Sequence, residues 1–413
     1  QPRAAGIVIS ALFGGPEWIG AVLVTLIVII YTLRGGLQAV IKTDLIQAII
    51  ALTLLWIGLV IVLANTGGPK QAFSELLSID PILMGRQDKY LLLIWSSTLL
   101  LWLFADPMFP QLFQRLCASE SDEAIGKMSM LYPLVATLAF LPPIIIGTLG
   151  NLNYNNLDRT ASDGILPQMI IDLGGEWFGG FILIAGLAAL MSTMDSQLLS
   201  TGSLVVRDII PDVNQKKHRS LRQICMIGLA ILGLILSLWS NLSILDLGLL
   251  AFCIYAVMFP SVWAAINSKE INGKAITSSI FAGECVVVLA FWKPSIFNGW
   301  WIEPVGAAVP VVIIPALTVA ILTLIGVQII CSDTKTISSL LKEILPKKES
   351  IYPILGLLMV FVLAHDWWWW NERKPWLIGF PIWIWWFFLL SLIQIFLMYK
   401  WVNVSIKNNS EIE

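Results

Sequence analysis

The sequence predicts an all-α, polytopic membrane protein. Hydrophobic residues make up 57% of the 413 residues and charged residues only 13%, and the mean hydropathy is +0.82. A water-soluble domain of this size does not have such a composition. The apolar residues form long runs separated by clusters of charge, Pro, Gly and Asn. Because an α-helix satisfies its backbone hydrogen bonds within one segment, these runs predict transmembrane helices.

The runs give about 11 full spans and one partial span. The partial one is the short run from Ala5 to Phe13. The shortest runs need flanking residues to cross about 30 Å of hydrocarbon at about 1.5 Å per residue. The full spans are Trp18–Leu33, Leu45–Ala64, Leu91–Phe113, Met128–Leu149, Phe178–Val206, Ile224–Trp239, Leu245–Ile266, Ile276–Trp292, Val305–Ile330, Tyr352–Ala364 and Trp376–Tyr399.

The basic residues indicate the orientation. When the chain crosses at every span, 18 of the 25 Lys and Arg residues fall on one side, including Arg3, Arg34 and Lys407, and 7 on the other. The positive-inside rule makes the larger set cytoplasmic. The C-terminal tail is then inside and the run from Ala5 to Phe13 points outward. We expect the inner (plasma) membrane of a prokaryote.

Three connecting segments have a distinct character. Asn151–Glu176 is polar and lies outside in this arrangement. Trp367–Trp370, at the outer end of a span, favour an interfacial aromatic belt over a sugar-binding platform. Asp333–Ser350 lies inside and predicts a short amphipathic helix on the membrane surface, with Leu340, Leu341, Ile344 and Leu345 on its apolar face.

Motifs of enzymes are absent from the sequence. It has no Walker loop and no GxSxG or HExxH motif, so we predict no enzymatic activity. The five cysteines show no CxxC or Cys/His spacing, which indicates neither a disulfide framework nor a metal site. The net charge of −2 does not suggest nucleic acid as a partner.

Small and hydroxylated residues line one face of the segment from Trp177 to Ile209. They recur at steps of three and four, so on a helix they share a face. Such a row of oxygens suits a cation path. Alternatively, small residues let two membrane helices pack closely, with the hydroxyls bonded to carbonyls of the preceding turn. The residues are Ala185, Ala189, Ser192, Ser196, Ser200 and Ser203, with Thr193 beside them.

Two aspartates lie near predicted cytoplasmic ends of spans. Asp44 stands at the entrance of the Leu45–Ala64 span, where a carboxylate either caps the helix or serves as a cation waypoint. Asp195 follows the hydroxyls of Ser192 and Thr193, and it either attracts a cation or pairs with a cytoplasmic base.

Another aspartate, Asp106, lies in the segment LLLWLFADPMFPQLFQR, where Pro107 and Pro110 predict a broken helix. Broken helices at membrane depth line protein or water, which makes this a candidate binding segment. The alternative is a proline kink with Asp106 capping the second half-helix. Glu284 also lies in an apolar run, and we assign it a structural or outer-leaflet position.

Three motifs in order resemble the sodium/solute symporter family. YTLRGGLQAVIKTDLIQ is similar to the family signature of a glycine pair followed by a TD and a Gln. PQLFQRLCASES resembles the PxxxxRxxAxxS segment that follows the broken helix of the family, and AALMSTMDSQLLSTGSLVVRDI resembles a core helix that ends in a cytoplasmic aspartate. The resemblance covers the chain to about Ile266, and beyond that it is chiefly one of hydropathy.

The resemblance implies a LeuT-type fold, with two five-helix inverted repeats around a central site that opens alternately to each side. The Trp18–Leu33 span would be the fourth core helix and the Phe178–Val206 span the eighth. Residues 1–266 would form the symporter core, from part of the third core helix to the tenth. Residues 267–413 would supply additional transmembrane helices and a cytoplasmic tail.

The resemblance also implies a sodium site. Its ligands on the eighth core helix would be the carbonyl of Ala189 and the hydroxyls of Ser192 and Thr193, and neutral oxygens suit a hard monovalent cation. Asp44 and Asp195 would lie on the sodium exit path. The chain departs from the family pattern because the first two core helices and most of the third are not in it. We therefore expect these residues alone not to transport, whereas the full-length protein does.

We predict sodium-coupled symport of a small organic solute by alternating access. The inward faces of the broken helix would offer Trp102, Phe104 and Asp106. An acid among aromatic side chains favours a positive nitrogen, as in an amino acid or a choline-like amine. The alternatives are a sodium-independent carrier or channel of similar build, and a membrane sensor with a symporter-like domain.

Overall fold

The computed structural model describes residues 1–34, 37–84, 92–154, 157–210, 214–240, 242–293, 296, 310–332, 338–340, 343–344, 350–372 and 377–410. Within them the chain is helical. The α-helices are α1 Pro2–Phe13, α2 Glu17–Arg34, α3 Leu37–Asn65, α4 Pro69–Ile79, α5 Leu92–Ala105, α6 Pro110–Cys117, α7 Asp122–Leu149, α8 Ile165–Gly174, α9 Glu176–Leu204, α10 Gln215–Trp239, α11 Ile244–Asn267, α12 Gly273–Trp292, α13 Ile313–Cys331, α14 Ile351–Leu363 and α15 Ile382–Ser410.

Ten helices in the described ranges are long and apolar enough to cross a membrane. A further pair, Leu92–Met108 and Pro110–Cys117, is bent by 51° and brings the number to as many as 11 if it forms one broken span. The short helix Pro2–Phe13 is apolar but below the length of a span. The prediction of an all-α polytopic protein with about 11 full spans and one partial span is therefore confirmed.

Contacts divide the chain into two compact units. The first comprises Gln1–Met84, Val135–Ile244 and Arg373–Trp385, and the second comprises Gly85–Leu134, Leu245–Glu372 and Trp386–Glu413. The predicted division into a core of residues 1–266 and an extension of residues 267–413 is based on the extent of the family resemblance and not on contacts. It stays a prediction.

Helix α9 is central to the first unit. It packs along α3, α8 and α10 and also meets α1 and α2. The apolar residues in the second half of α9 pack against α2 and α10. The hydroxylated face of α9 packs against α3. This apolar cluster includes Val24, Val28, Met194, Leu198, Leu199, Met226 and Ala230.

In the second unit, α5, α11, α12 and α13 contribute residues to one buried apolar cluster. Small residues let α12 and α13 approach closely, as in other membrane helix pairs: the hydroxyl of Ser279 donates to the carbonyl of Ala320 at 2.7 Å. Buried members of this cluster are Leu101, Ala105, Cys253, Ala256, Val287, Ile313 and Ala316.

One part of the predicted topology is wrong. Arg3 was assigned to the cytoplasmic set, but its guanidinium lies 3.9 Å from the Asp163 carboxylate and donates to the carbonyl of Ser240 at 3.3 Å. Asp163 and Ser240 belong to connections that the same span count places outside. A helix of 12 residues extends only about 18 Å, so α1 need not carry Arg3 across a membrane.

The connecting segments are more ordered than their composition indicates. The polar connection Asn151–Glu176 contains α8, whose Pro167, Met169 and Ile170 are buried. Trp367–Trp369 form a short 3-10 turn, and the Trp370 indole donates to the carbonyl of His365 at 2.9 Å. Leu341 and Leu345 of the predicted amphipathic helix lie outside the described residues, as do the starts of the predicted Leu91, Val305 and Trp376 spans.

Candidate functional site

The hydroxyl groups of α9 divide into two kinds. Those of Thr193, Ser200 and Ser203 bond to carbonyls one turn earlier on the same helix, with distances of 3.0, 2.7 and 2.6 Å. The hydroxyls of Ser192 and Ser196 instead reach a carboxylate on a neighbouring helix. The close-packing interpretation of the row therefore accounts for only part of it.

Ser192 and Ser196 both donate to Asp44 on α3. The Ser192 hydroxyl lies 2.5 Å from Asp44 Oδ1, and the Ser196 hydroxyl lies 3.0 Å from Asp44 Oδ2. The two serines are one helical turn apart, so one carboxylate spans both of them. Asp44 is only 9% exposed. Charge-assisted hydrogen bonds from hydroxyl groups stabilise a carboxylate in such a position.

Asp44 does not cap its helix. The predicted span began at Leu45, but α3 begins at Leu37, and Asp44 therefore lies two turns inside it. The four orphan N–H groups of a helix belong to its first turn. The capping interpretation of Asp44 is therefore wrong, and its carboxylate faces α9.

Asp195 is fully buried beside this cluster, with 0% exposure. The Ser196 hydroxyl lies 3.3 Å from Asp195 Oδ1, and Tyr31 of α2 is next to the carboxylate. The Tyr31 hydroxyl also donates to the Met191 carbonyl at 3.1 Å. Among the described residues Asp195 forms no ion pair, so the predicted pairing with a base is not observed there.

The predicted sodium ligands lie together on α9. The Thr193 hydroxyl and the Ala189 carbonyl oxygen are 3.0 Å apart, and Ser192 precedes Thr193 in the chain. Their oxygens are uncharged, and a hard monovalent cation is well matched by such a set. In the described part of the chain, no group of three His, Cys, Asp or Glu residues is arranged to hold a metal ion.

Two residues of this cluster escaped sequence reasoning. Ser196 was recognised in the row but not as a partner of Asp44, and Tyr31 was not singled out. The spacing of Ser192 and Ser196 was the available signal for Ser196. Tyr31 gave none, because its neighbours on α9 are 160 residues away in sequence.

The second candidate segment is the break between α5 and α6. A 3-10 turn, Asp106–Met108, follows α5, and Phe109 is extended with φ −61° and ψ 123° before α6 begins at Pro110. Proline at 107 and 110 removes two N–H donors and stops the helix. The predicted break is observed.

The Asp106 side chain does not cap α6, whose N-cap residue is Phe109. Its Oδ2 instead accepts a hydrogen bond of 2.8 Å from the hydroxyl of Tyr132 on α7. The capping interpretation of Asp106 is therefore wrong. Sequence reasoning also missed Tyr132.

Aromatic rings of α11 cover the same break. Trp102 lies 4.7 Å from Phe252 between ring centroids, and Phe104 lies 4.8 Å from Phe259. Phe109 is 5.2 Å from Phe252. Such tilted pairs are favourable for aromatic side chains. Trp102 and Phe104 thus pack on rings of α11, whereas Asp106 contacts Tyr132 of α7.

Comparisons with known proteins identify a family model and several relatives. The model of the sodium:solute symporter family matches residues 1–288. The chain is 27% identical over 302 residues to the high-affinity proline transporter PutP of Bacillus subtilis, covering 69% of this chain and 62% of that protein. It is 27% identical over 295 residues to the sodium/pantothenate symporter of Haemophilus influenzae, covering 67% and 59%.

A third relative is the human high affinity choline transporter 1, 27% identical over 216 residues, which cover 50% of this chain and 37% of that protein. All three relatives are named as transporters or symporters. The matched part of the chain spans about three-fifths or less of the length of each.

Proposed function

Because the chain belongs to the sodium:solute symporter family, we propose that the complete protein is a secondary active transporter that couples a small organic solute to sodium by alternating access. Sodium and solute would each stabilise the same conformation, so that each raises the affinity for the other. The LeuT-type arrangement, the core of residues 1–266 and a cytoplasmic C-terminus in a prokaryotic plasma membrane are parts of this proposal.

The oxygen cluster between α9 and α3 carries the proposal. The carbonyl of Ala189 and the hydroxyls of Ser192 and Thr193 would bind sodium. Because the Ser192 hydrogen is directed to Asp44, the lone pairs of its oxygen remain available for a cation. The Asp44 carboxylate also places a negative charge behind that hydroxyl. A buried carboxylate in a membrane helix is costly unless it has such a role.

Asp44 and Asp195 would form the path by which sodium leaves. Both carboxylates contact Ser196, at 3.0 and 3.3 Å, so they border one another beside the proposed ligands. A cation that leaves Ser192 would meet negative charge at the next step. The two carboxylates would therefore attract the leaving cation along this path.

The solute would contact the α5–α6 break. Asp106 supplies a negative charge and Trp102 and Phe104 supply aromatic surface, which together favour a solute with a cationic nitrogen. An amino acid or an amine meets this description. The relatives are named for proline, choline and pantothenate, and the first two of these solutes carry such a nitrogen.

Transport in proteoliposomes tests the proposal. The complete protein is reconstituted and uptake of radiolabelled L-proline, the other common amino acids, choline and pantothenate is measured with an inward sodium gradient and with potassium in its place. We expect saturable uptake that requires sodium. Saturable uptake that ignores the sodium gradient would identify a sodium-independent carrier, and uptake that does not saturate would identify a channel.

A further inference from the structure

One hydrogen bond holds the Asp106 carboxylate within the described residues. Asp106 lies in the 3-10 turn Asp106–Met108, which continues α5 as far as the bend at Phe109. The Tyr132 hydroxyl holds Oδ2 at 2.8 Å, and within the described residues the side chain of Asp106 makes no other hydrogen bond or ion pair. Tyr132 therefore determines where the second oxygen, Oδ1, points.

Tyr132 comes from outside the broken helix. It lies on α7, 26 residues further along the chain, and it is 45% exposed. Its hydroxyl has one hydrogen, which is committed to Asp106. The other carboxylate oxygen, Oδ1, accepts no hydrogen bond from the described residues.

We propose that Tyr132 is a positioning residue for solute recognition, which orients Asp106 so that its remaining oxygen accepts one N–H of a cationic solute. This inference rests on the proposed function. A charged acceptor with a fixed direction binds a primary or secondary ammonium by a charge-assisted hydrogen bond. A quaternary ammonium has no N–H, so it could not form this hydrogen bond and would depend on aromatic rings such as Trp102 and Phe104 alone.

Uptake kinetics of four variants test this assignment in the complete protein. Tyr132→Phe removes only the hydroxyl, so we expect KM for the best amino acid substrate to rise about tenfold with kcat within about twofold. Asp106→Asn removes the charge and should raise KM further. In the Asp106→Asn background, Tyr132→Phe should have no additional effect, because it acts only through the carboxylate. Tyr399→Phe, a half-exposed tyrosine of α15, is the matched control.

Each outcome decides the assignment. An unchanged or lowered KM in Tyr132→Phe would overturn it, since Tyr132 would then be neutral or compete with the solute for Asp106. A full additional loss in the Asp106→Asn background would also overturn it and indicate a structural role. Uptake of choline or pantothenate with no uptake of any amino acid would contradict the N–H requirement.

Failure of the proposed sodium coupling can be distinguished from failure of the Tyr132 assignment. If wild-type amino acid uptake is saturable but independent of sodium, the symport proposal fails while the Tyr132 comparison can still be made. If Asp106→Asn abolishes uptake, the single and double variants are compared instead by amino acid binding. The measurement is the shift in melting temperature that each variant shows with saturating amino acid. Monodisperse elution in detergent confirms that each variant is folded.

Discussion

The sharpest prediction concerns the unequal roles of two adjacent hydroxyls. Ser192 donates to a carboxylate at 2.5 Å, whereas Thr193 donates to a neutral carbonyl at 3.0 Å. Hydrogen bonds to charged groups contribute about 1.5–3 kcal/mol and neutral ones about 0.5–1.5 kcal/mol. If the full energy of each bond is lost from sodium binding, Ser192→Ala should raise the sodium concentration for half-maximal uptake about 12- to 150-fold, and Thr193→Ala about 2- to 12-fold.

Sodium titration of solute uptake in proteoliposomes measures both values at a fixed, saturating solute concentration. Ser203→Ala is the matched control: its hydroxyl bonds to a carbonyl of the same helix, and it lies about 16 Å along α9 from Ser192. Thr193→Ser keeps the hydroxyl and should restore sodium affinity close to wild type. Equal and small effects of Ser192→Ala and Ser203→Ala would refute the reasoning, because the row would then serve helix packing alone.

Two further changes test other parts of the structure. In Asp44→Asn, the amide retains one acceptor oxygen and presents N–H groups to the second serine, so one hydroxyl bond and the charge are lost. The sodium concentration for half-maximal uptake should therefore rise at least about tenfold in a sodium titration. The control is Asp158→Asn, in an exposed connection, which should match wild type. The second change tests the close packing around Gly283 of α12. In Gly283→Val, the new Cβ would lie 3.0 Å from Ala320 Cβ and closer still to Val257. We therefore expect about 1–3 kcal/mol of destabilisation and a lower melting temperature in detergent. Gly326→Val, which meets nothing within 4 Å, is the control, and an equal loss in both variants would show that close packing of α12 on α13 is not the cause.

Most of the fold could be predicted because a membrane imposes a length and a composition on each span. The same reasoning missed α8, because a 10-residue helix in a polar connection leaves no long apolar run. It also misplaced Arg3. Charge counts assign whole connections to a side, and they carry no information about a helix such as α1 that need not cross.

The candidate site was predictable where it depends on one helix. The spacing of Ser192 and Ser196 on α9 indicated a shared face, and the family resemblance, which the family model confirms, named Ala189, Ser192 and Thr193. Their role in binding sodium stays a prediction. The partners could not be found from periodicity, because Asp44 is 148 residues from Ser192 and Tyr132 approaches Asp106 from another helix. Helical spacing describes a face but does not say what packs on it.

The packing and cation-path interpretations of the α9 row do not exclude one another, because they concern different members of it. A hydroxyl that bonds to its own helix needs no partner and lets a neighbouring helix approach, as Ser200 and Ser203 do. Ser196 has one hydrogen and two carboxylate neighbours, at 3.0 and 3.3 Å, so it can donate to only one of them at a time. A row that served packing alone would have no reason to bring two buried carboxylates to one hydroxyl, where their negative charges repel. A cation that passes between Asp44 and Asp195 removes that repulsion, which is why we place the path at Ser196 and not along the whole row.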